Sequence, residues 1–244
     1  MKPAIALVPA FNEGGRIGLT VAALRSLPSL TEVVVVDDGS TDGTATEARA
    51  AGACCLSLPR NLGKGDALNA GIALVRERIV DGHIGVPDIL LLADGDLAAS
   101  AVELQRLLDA MARESIDMAI ADLPPQTGAA GFGLAKGLAA AGLKHISGIA
   151  VREPLSGQRA IRWVALPAIV PFAPNFGVEV AMTLAAVAAG MEVKEIEVPL
   201  THAVTGRDLA GALHRANQAR SIATELITHL HRRARLRKAR SQAM

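Results

Sequence analysis

Tyrosine is absent from this 244-residue chain, and four phenylalanines with one tryptophan bring the aromatic share to only 2%. A surface of stacked aromatic platforms is therefore excluded, and with it the sequence-tolerant grip on single-stranded nucleic acid that such platforms provide. There are 2 cysteines, the adjacent Cys54 and Cys55 in an apolar run. They can supply neither a disulfide framework nor a zinc quartet, and are expected to be reduced core residues. No window of about 18–20 consecutive apolar residues exists, so no bilayer-spanning segment is expected. The opening stretch Met1 to Ala10 is too short for a signal peptide and leads directly into Asn12 and Glu13, which points to a cytoplasmic chain.

The hydrophobic share is 50%, much of it 46 alanines, and 23 glycines come in addition. Such a composition argues against disorder and allows a sizeable core. Short β-branched runs at 3–9 and 32–38 end at polar residues and predict buried parallel strands. Further strands are expected at 88–93 and 117–121, with helices at 15–27, 42–52 (N-capped by Asp42), 64–80 and 100–113. This βαβαβαβαβ alternation over the first 120 residues implies an α/β fold with a doubly wound, mostly parallel sheet flanked by helices. Beyond it, 123–133 reads as a loop, 134–146 as a helix, and 154–163 as a turn followed by a strand. The pattern ends with a helix at 177–190, a half-exposed strand at 192–198 and a long helix at 208–231.

In open α/β sheets, ligands collect outside the carboxyl ends of the strands. Three strand ends here carry unusual polar residues: Asn12-Glu13, Asp37-Asp38 and Asp94-Gly95-Asp96. The last is the sharpest signal, because two carboxylates one residue apart at a turn can share a divalent cation. Hard oxygen donors suit Mg²⁺ or Mn²⁺, with diphosphate oxygens completing the shell. No G-x-G-x-x-G follows the first strand, which disfavours a dinucleotide-binding module.

Pro9-Ala10-Phe11-Asn12-Glu13, Val34 to Thr44 (VVVDDGSTDGT), Asn61 to Gly71 (NLGKGDALNAG) and Asp94-Gly95-Asp96 stand in this order over some ninety residues. Together they resemble family 2 glycosyltransferases of the GT-A fold. The segment Glu153 to Ala160 (EPLSGQRA) and Phe176-Gly177-Val178-Glu179, with Glu195 to Pro199 (EIEVP), are similar to the dolichyl-phosphate-mannose-synthase-like branch. The resemblance covers about residues 3–207. It implies one GT-A domain with a donor half at about 1–122 and an acceptor-side half at about 123–207, followed by a C-terminal helix and basic tail at 208–244.

Carried over residue by residue, the resemblance implies a nucleotide-diphosphate sugar held by Pro9, Ala10, Asn12, Glu13 and Asp37 or Asp38. A carboxylate there can accept from a base N–H or from ribose hydroxyls. Gly39, Ser40 and Thr44 are expected to shape the turn and cap the next helix. Lys64, between Gly63 and Gly65 at a helix start, would face the diphosphate, with Arg207 closing over it. Asp94 and Asp96 would serve ribose and metal, Asp96 foremost, with His202 as a further metal ligand, because Ala98 stands where the branch often has glutamine. Glu179 is the expected general base for an acceptor hydroxyl in an inverting displacement, whereas a phosphate acceptor needs only positioning cations. Arg152 and Arg159, with Ser156 between them, are the candidates for that task. Glu153 replaces the branch's aspartate, and the strand at 117–121 ends in Asp122-Leu123 without a cation.

The expected function is therefore metal-dependent sugar transfer to a polyprenyl phosphate or another membrane-linked acceptor. The alternatives are a soluble phosphorylated hydroxy acid as acceptor, or a non-catalytic nucleotide-sugar-binding relative. From Arg207 onward the chain carries 9 Lys/Arg against 2 Asp/Glu, while residues 1–206 carry 16 against 22. The apolar stripe of Leu213, Ile222, Leu226 and Leu230 followed by HRRARLRKAR suits an anionic membrane surface, hence a peripheral visit to the inner membrane face. No nucleic-acid partner is expected, since neither aromatics nor motifs support one.

Overall fold

In a computed structural model describing residues 2–123, 132–174 and 177–200, together with Thr224, a seven-stranded sheet organises the chain. The first strand, β1 (Ala4–Ala10), shows why the sheet is covered on both faces. Ala4, Ala6, Val8 and Ala10 enter one apolar cluster, while Ile5 and Leu7 enter the other. A strand buried on both sides has no need of alternating polarity, which is why its sequence reads as an unbroken apolar run. Each of the large aliphatic side chains so buried contributes roughly 1.5–3 kcal/mol.

The order of elements is β1, α1 (Ile17–Arg25), β2 (Leu30–Asp37), α2 (Thr44–Ala50), β3 (Cys54–Ser57), α3 (Lys64–Val80) and β4 (Ile89–Leu92). A 3₁₀ segment (Ala98–Leu104), α4 (Gln105–Arg113), β5 (Met118–Asp122), α5 (Phe132–Ser147), β6 (Arg159–Arg162), a second 3₁₀ segment (Trp163–Ala168), α6 (Val178–Ala188) and β7 (Val193–Glu197) follow. The helix expected from residue 100 thus begins as 3₁₀ and becomes α only at Gln105. Asp42 lies one residue before the cap position of α2, yet its carboxylate still accepts the Thr44 N–H at 2.9 Å.

Across the sheet the strands run β3-β2-β1-β4-β6-β5-β7. All neighbours are parallel except β6, which is antiparallel to both β4 and β5. Its insertion matters for the site. A parallel strand ends at the carboxyl edge of the sheet, whereas an antiparallel one begins there. Leu92 pairs with Arg159, so the first residues of β6 meet whatever follows β4.

Cys54 and Cys55 are free but only half-buried, because β3 is an edge strand with a single neighbour. The expectation of core cysteines is corrected accordingly. β7, at the opposite edge, is half-buried as its alternating sequence predicts. Among the described residues no helix is long and apolar enough to cross a membrane. His202, Arg207 and the tail expected to reach a membrane lie outside the described residues, as does most of the 123–133 loop.

Candidate active site

At the carboxyl edge of the sheet the segments following β1, β2 and β4 pack into one another. Backbone N–H groups of four successive residues after β1 donate to side chains after β2: Asn12 to Ser40 Oγ, Glu13 to Thr44 Oγ1, Gly14 to Asp42 and Gly15 to Glu47, at 2.7–3.0 Å. Asn12 takes a left-handed backbone (φ 55°), and its Oδ1 accepts the Thr41 N–H at 3.0 Å. The Ser40-Thr41-Asp42-Gly43-Thr44 motif is thus a docking strip for the neighbouring loop, a larger task than capping its own helix.

The Asp94-Gly95-Asp96 turn is pinned by Thr20. This fully buried hydroxyl donates to the Gly95 carbonyl and accepts the Ala98 N–H, both at 2.8 Å. A Cβ at Gly95 would stand 3.2 Å from Ala10 Cβ and Glu13 Cγ, so the turn lies flat against the end of β1. Burial raises the Glu13 carboxyl above its ordinary value against the pull of Arg16, and Asp96 and Asp94 add to the rise. Glu13, Asp94 and Asp96 therefore share one negative field.

Asp38 is buried, and its two oxygens accept the N–H groups of Leu62 and Gly63, each at 2.8 Å. Its oxygens thereby hold the loop leading to Lys64. Asp37, equally buried at the end of β2, accepts the Ser40 N–H at 3.0 Å. Pro9 lines the same cleft as Leu92, Asp94, Lys64 and Glu179.

Lys64 opens α3, where the helix dipole disfavours a cation. Two carboxylates offset that cost. Its ammonium donates to Asp94 Oδ1 at 2.7 Å and to Glu179 Oε1 at 2.8 Å. Burial alone would push the ammonium down, yet Asp94 and Glu179 outweigh it and hold Lys64 well above the ordinary lysine value. It stays charged at any physiological pH. Glu179 sits in the first turn of α6, favourably placed in that helix's dipole, and its side chain is only 9% exposed.

The start of β6 closes the cleft from the third side. A Cβ on Gly157 would come within 2.4 Å of Lys64 Nζ and 2.7 Å of Asp94 Oδ2, so the chain passes directly over the ion pair. Gly157→Ala is accordingly expected to leave the fold intact, since only side-chain ends must move, while turnover falls by about tenfold or more because Lys64 is displaced. Circular dichroism alongside steady-state rates checks this.

The three residues proposed for the acceptor separate. Arg159 is fully buried, with Nε on the Ser156 carbonyl (2.9 Å), Nη1 on Thr183 Oγ1 (2.9 Å) and Nη2 on the Pro154 carbonyl (3.2 Å). Burial draws its guanidinium down to about 10, against Glu179 and Glu195. It builds the 154–158 turn from beneath and cannot reach an acceptor, which corrects that assignment. Ser156 is likewise buried, its hydroxyl donating to Gln158 Oε1 at 3.2 Å. Arg152 remains exposed and pairs with Asp122 at 2.5 Å. The cation that the end of β5 lacks in sequence is thus supplied from across the cleft. Glu195 accepts the N–H groups of Arg152 and Glu153, and Lys136 pairs with Glu153. Gln158 and Glu195 both lie in segments that carry the resemblance, EPLSGQRA and EIEVP, but only their partners give them roles.

Among the described residues no three His, Cys, Asp or Glu side chains converge to enclose a metal ion. The hard carboxylates of Asp94 and Asp96 nonetheless fit Mg²⁺ or Mn²⁺ as part of a shell completed by a diphosphate.

A sequence model of glycosyl transferase family 2 matches residues 5–133, which spans every motif from β1 through the Asp94-Gly95-Asp96 turn. The chain belongs to glycosyl transferase family 2. Among relatives of this family-2 chain, glycosyltransferase AglJ of Haloferax volcanii is 30% identical over 200 residues, covering 80% of this chain and 61% of that protein. The dodecaprenyl-phosphate galacturonate synthase of Rhizobium johnstonii is 31% identical over 124 residues, 47% of this chain and 34% of its own. The chain therefore spans between about a third and three fifths of these relatives' lengths. A crystal structure of glucosyl-3-phosphoglycerate synthase from Mycobacterium tuberculosis, in complex with Mn²⁺, UDP-glucose and phosphoglyceric acid, superposes with a TM-score of 0.72. It is 26% identical, and the likeness covers 93% of this chain and 79% of that one. The GT-A architecture is thereby shared across nearly the whole family-2 chain.

Proposed function

We propose that this protein transfers a sugar from a nucleoside diphosphate sugar to an acceptor that carries a phosphate. The observation that supports this reading best is the Asp94–Lys64–Glu179 bridge at the carboxyl edge of the sheet. It sets a permanent cation and the start of α3 where a diphosphate would lie. Asp94 and Asp96 would hold Mg²⁺ or Mn²⁺, with His202 as a further candidate. Such an ion, when bound, neutralises charge on the departing nucleoside diphosphate. Pro9, Ala10, Glu13 and Asp37 would receive base and ribose, and the resemblance implies Arg207 as a second cation for the diphosphate.

In the transfer, the bond from the anomeric carbon to the diphosphate breaks with its electron pair going to the diphosphate. An acceptor oxygen forms the new bond from the opposite face, inverting the centre. A phosphate oxygen attacks without losing a proton. A hydroxyl must give its proton to a base, and Glu179 is the candidate. However, the Lys64 ammonium already occupies Glu179 Oε1 at 2.8 Å, so that oxygen is not open to an acceptor proton. This favours an acceptor already anionic, with a polyprenyl phosphate the leading choice and Arg152 its positioning cation. The likeness to glucosyl-3-phosphoglycerate synthase over 93% of the chain supports the second reading, a soluble phosphorylated hydroxy acid. The basic tail would bring the protein to an anionic membrane face if the acceptor is a lipid.

A panel of nucleotide sugars with Mn²⁺, offered to undecaprenyl phosphate and to 3-phosphoglycerate in parallel, tests both. Label entering the lipid phase supports the leading reading. Label on the hydroxy acid alone supports the second. Glu179→Gln then distinguishes the chemistry: transfer to lipid phosphate is expected to keep at least about a third of its rate, whereas transfer to a hydroxyl falls about 10²–10⁴-fold.

A further inference from the structure

Gln158 is almost wholly buried at 1% exposure; its backbone carbonyl accepts the Ala121 N–H of β5, while its side chain meets polar partners. Its amide N–H donates to Asp94 Oδ2 at 2.6 Å, and its carbonyl oxygen accepts the Ser156 hydroxyl at 3.2 Å. Since Lys64 holds Asp94 Oδ1 at 2.7 Å, each oxygen of that carboxylate has its own fixed donor. From Ser156 the connections continue: its carbonyl accepts Arg159 Nε, Arg159 Nη1 donates to Thr183 Oγ1, and that hydroxyl donates to the Glu179 carbonyl. Glu179 returns to Lys64 at 2.8 Å. A closed ring of polar contacts thus runs through the end of β4, the start of α3, the start of α6 and the start of β6.

We propose that Gln158 is a positioning residue that aims Asp94 toward the donor and its metal; this rests on the reading of Asp94 as a donor-site group. Lys64 is a long, flexible side chain, and the carboxylate it holds at Oδ1 can follow its motion. A second donor from a rigid strand start removes that freedom. The choice of an amide is significant. Lys64 already brings one positive charge to Asp94, and a second cation here would oppose a divalent ion further, whereas an aliphatic side chain would offer Oδ2 no hydrogen bond from position 158. A neutral donor orients the group and keeps its charge, as partners of metal-ligating carboxylates do.

Calorimetric titration of the full chain with UDP, GDP, CDP and dTDP, in Mn²⁺ and separately in EDTA, tests the role. Wild-type protein is expected to bind one nucleotide more tightly in Mn²⁺ than in EDTA. Gln158→Met, which preserves volume, should weaken binding in Mn²⁺ by about tenfold or more and leave binding in EDTA unchanged. Ser156→Ala, which frees only the far end of the amide, should weaken it about threefold, on the scale of one lost neutral hydrogen bond. Circular dichroism verifies the fold of each, and if Gln158→Met does not fold, the Ser156→Ala titration decides. Wild-type affinity in the variants overturns the positioning role, as does an equal loss in Mn²⁺ and EDTA, which marks a general support of the turn. Failure of the wild-type protein to bind any of the four nucleotides overturns the donor reading itself, and the role with it.

Discussion

Lys64→Met is expected to abolish measurable sugar transfer, with a rate loss of about 10²–10³ or more, and to lower the thermal midpoint at the same time. Two carboxylates depend on this one ammonium, and the substitution leaves Asp94 and Glu179 facing each other across a closed cleft. Removing one partner of a fully buried pair costs roughly 3–5 kcal/mol. The side chains of Lys64 and Asp94 remain 27% and 31% exposed, so solvent reduces the figure here to about 2 kcal/mol. For a domain of this size that corresponds to a midpoint about 4–8 °C lower. The double variant Lys64→Met/Glu179→Gln provides the control. Neutralising Glu179 relieves the repulsion and should restore most of the midpoint, while transfer stays absent because no cation faces the diphosphate. Recovery of stability without recovery of rate would separate the two roles of Lys64. Full activity in the single variant would remove the bridge from the mechanism.

Asp96→Ala carries the other large effect. Affinity for the nucleotide sugar in Mn²⁺ should fall at least about a hundredfold, with affinity in EDTA unaltered. The fold should survive, because the turn is held through backbone atoms of Gly95 and Ala98 by Thr20. Thermal shift measurements against a nucleotide-sugar panel, with and without Mn²⁺, check both statements. A ligand at about 100 times its dissociation constant stabilises wild-type protein by roughly 2.7 kcal/mol, and this increment should vanish in the variant. Undiminished Mn²⁺-dependent turnover would sink the metal assignment.

The membership in glycosyl transferase family 2 and the likeness to glucosyl-3-phosphoglycerate synthase carry the fold and the class of enzyme. They leave the acceptor to chemistry. Here the pairing of Glu179 with Lys64 carries weight, since it engages the carboxylate oxygen that would otherwise face an acceptor hydroxyl. Arg152 adds to this, because it returns a cation to the end of β5 from a segment more than two dozen residues away in the chain.

Much of this protein is legible in its residues. The apolar runs that became β1, β2, β4 and β5 are short, punctuated and buried on both faces, so local pattern suffices to find them. The same holds for Lys64–Val80, whose expected and observed bounds coincide. Asp94-Gly95-Asp96, Gly63-Lys64-Gly65 and Asn12-Glu13 are each contiguous, and a strand end in an α/β sheet already says which edge they occupy. What stayed hidden depends on a single event far along the chain. β6 inserts antiparallel between β4 and β5, and only that brings Gln158 to Asp94 and Gly157 over Lys64. It also turns Arg159 inward, where burial makes it a scaffold for the turn, although its residue type suggested an acceptor contact. Asp38 depends on a different contact: the amides of Leu62 and Gly63, in the loop before α3, lie opposite its carboxylate. Local propensity and hydrophobic period act between neighbours in sequence, so they reveal elements and motifs. Partners of buried polar groups are chosen by packing between distant segments, and for this site the packing of β6 made the choice.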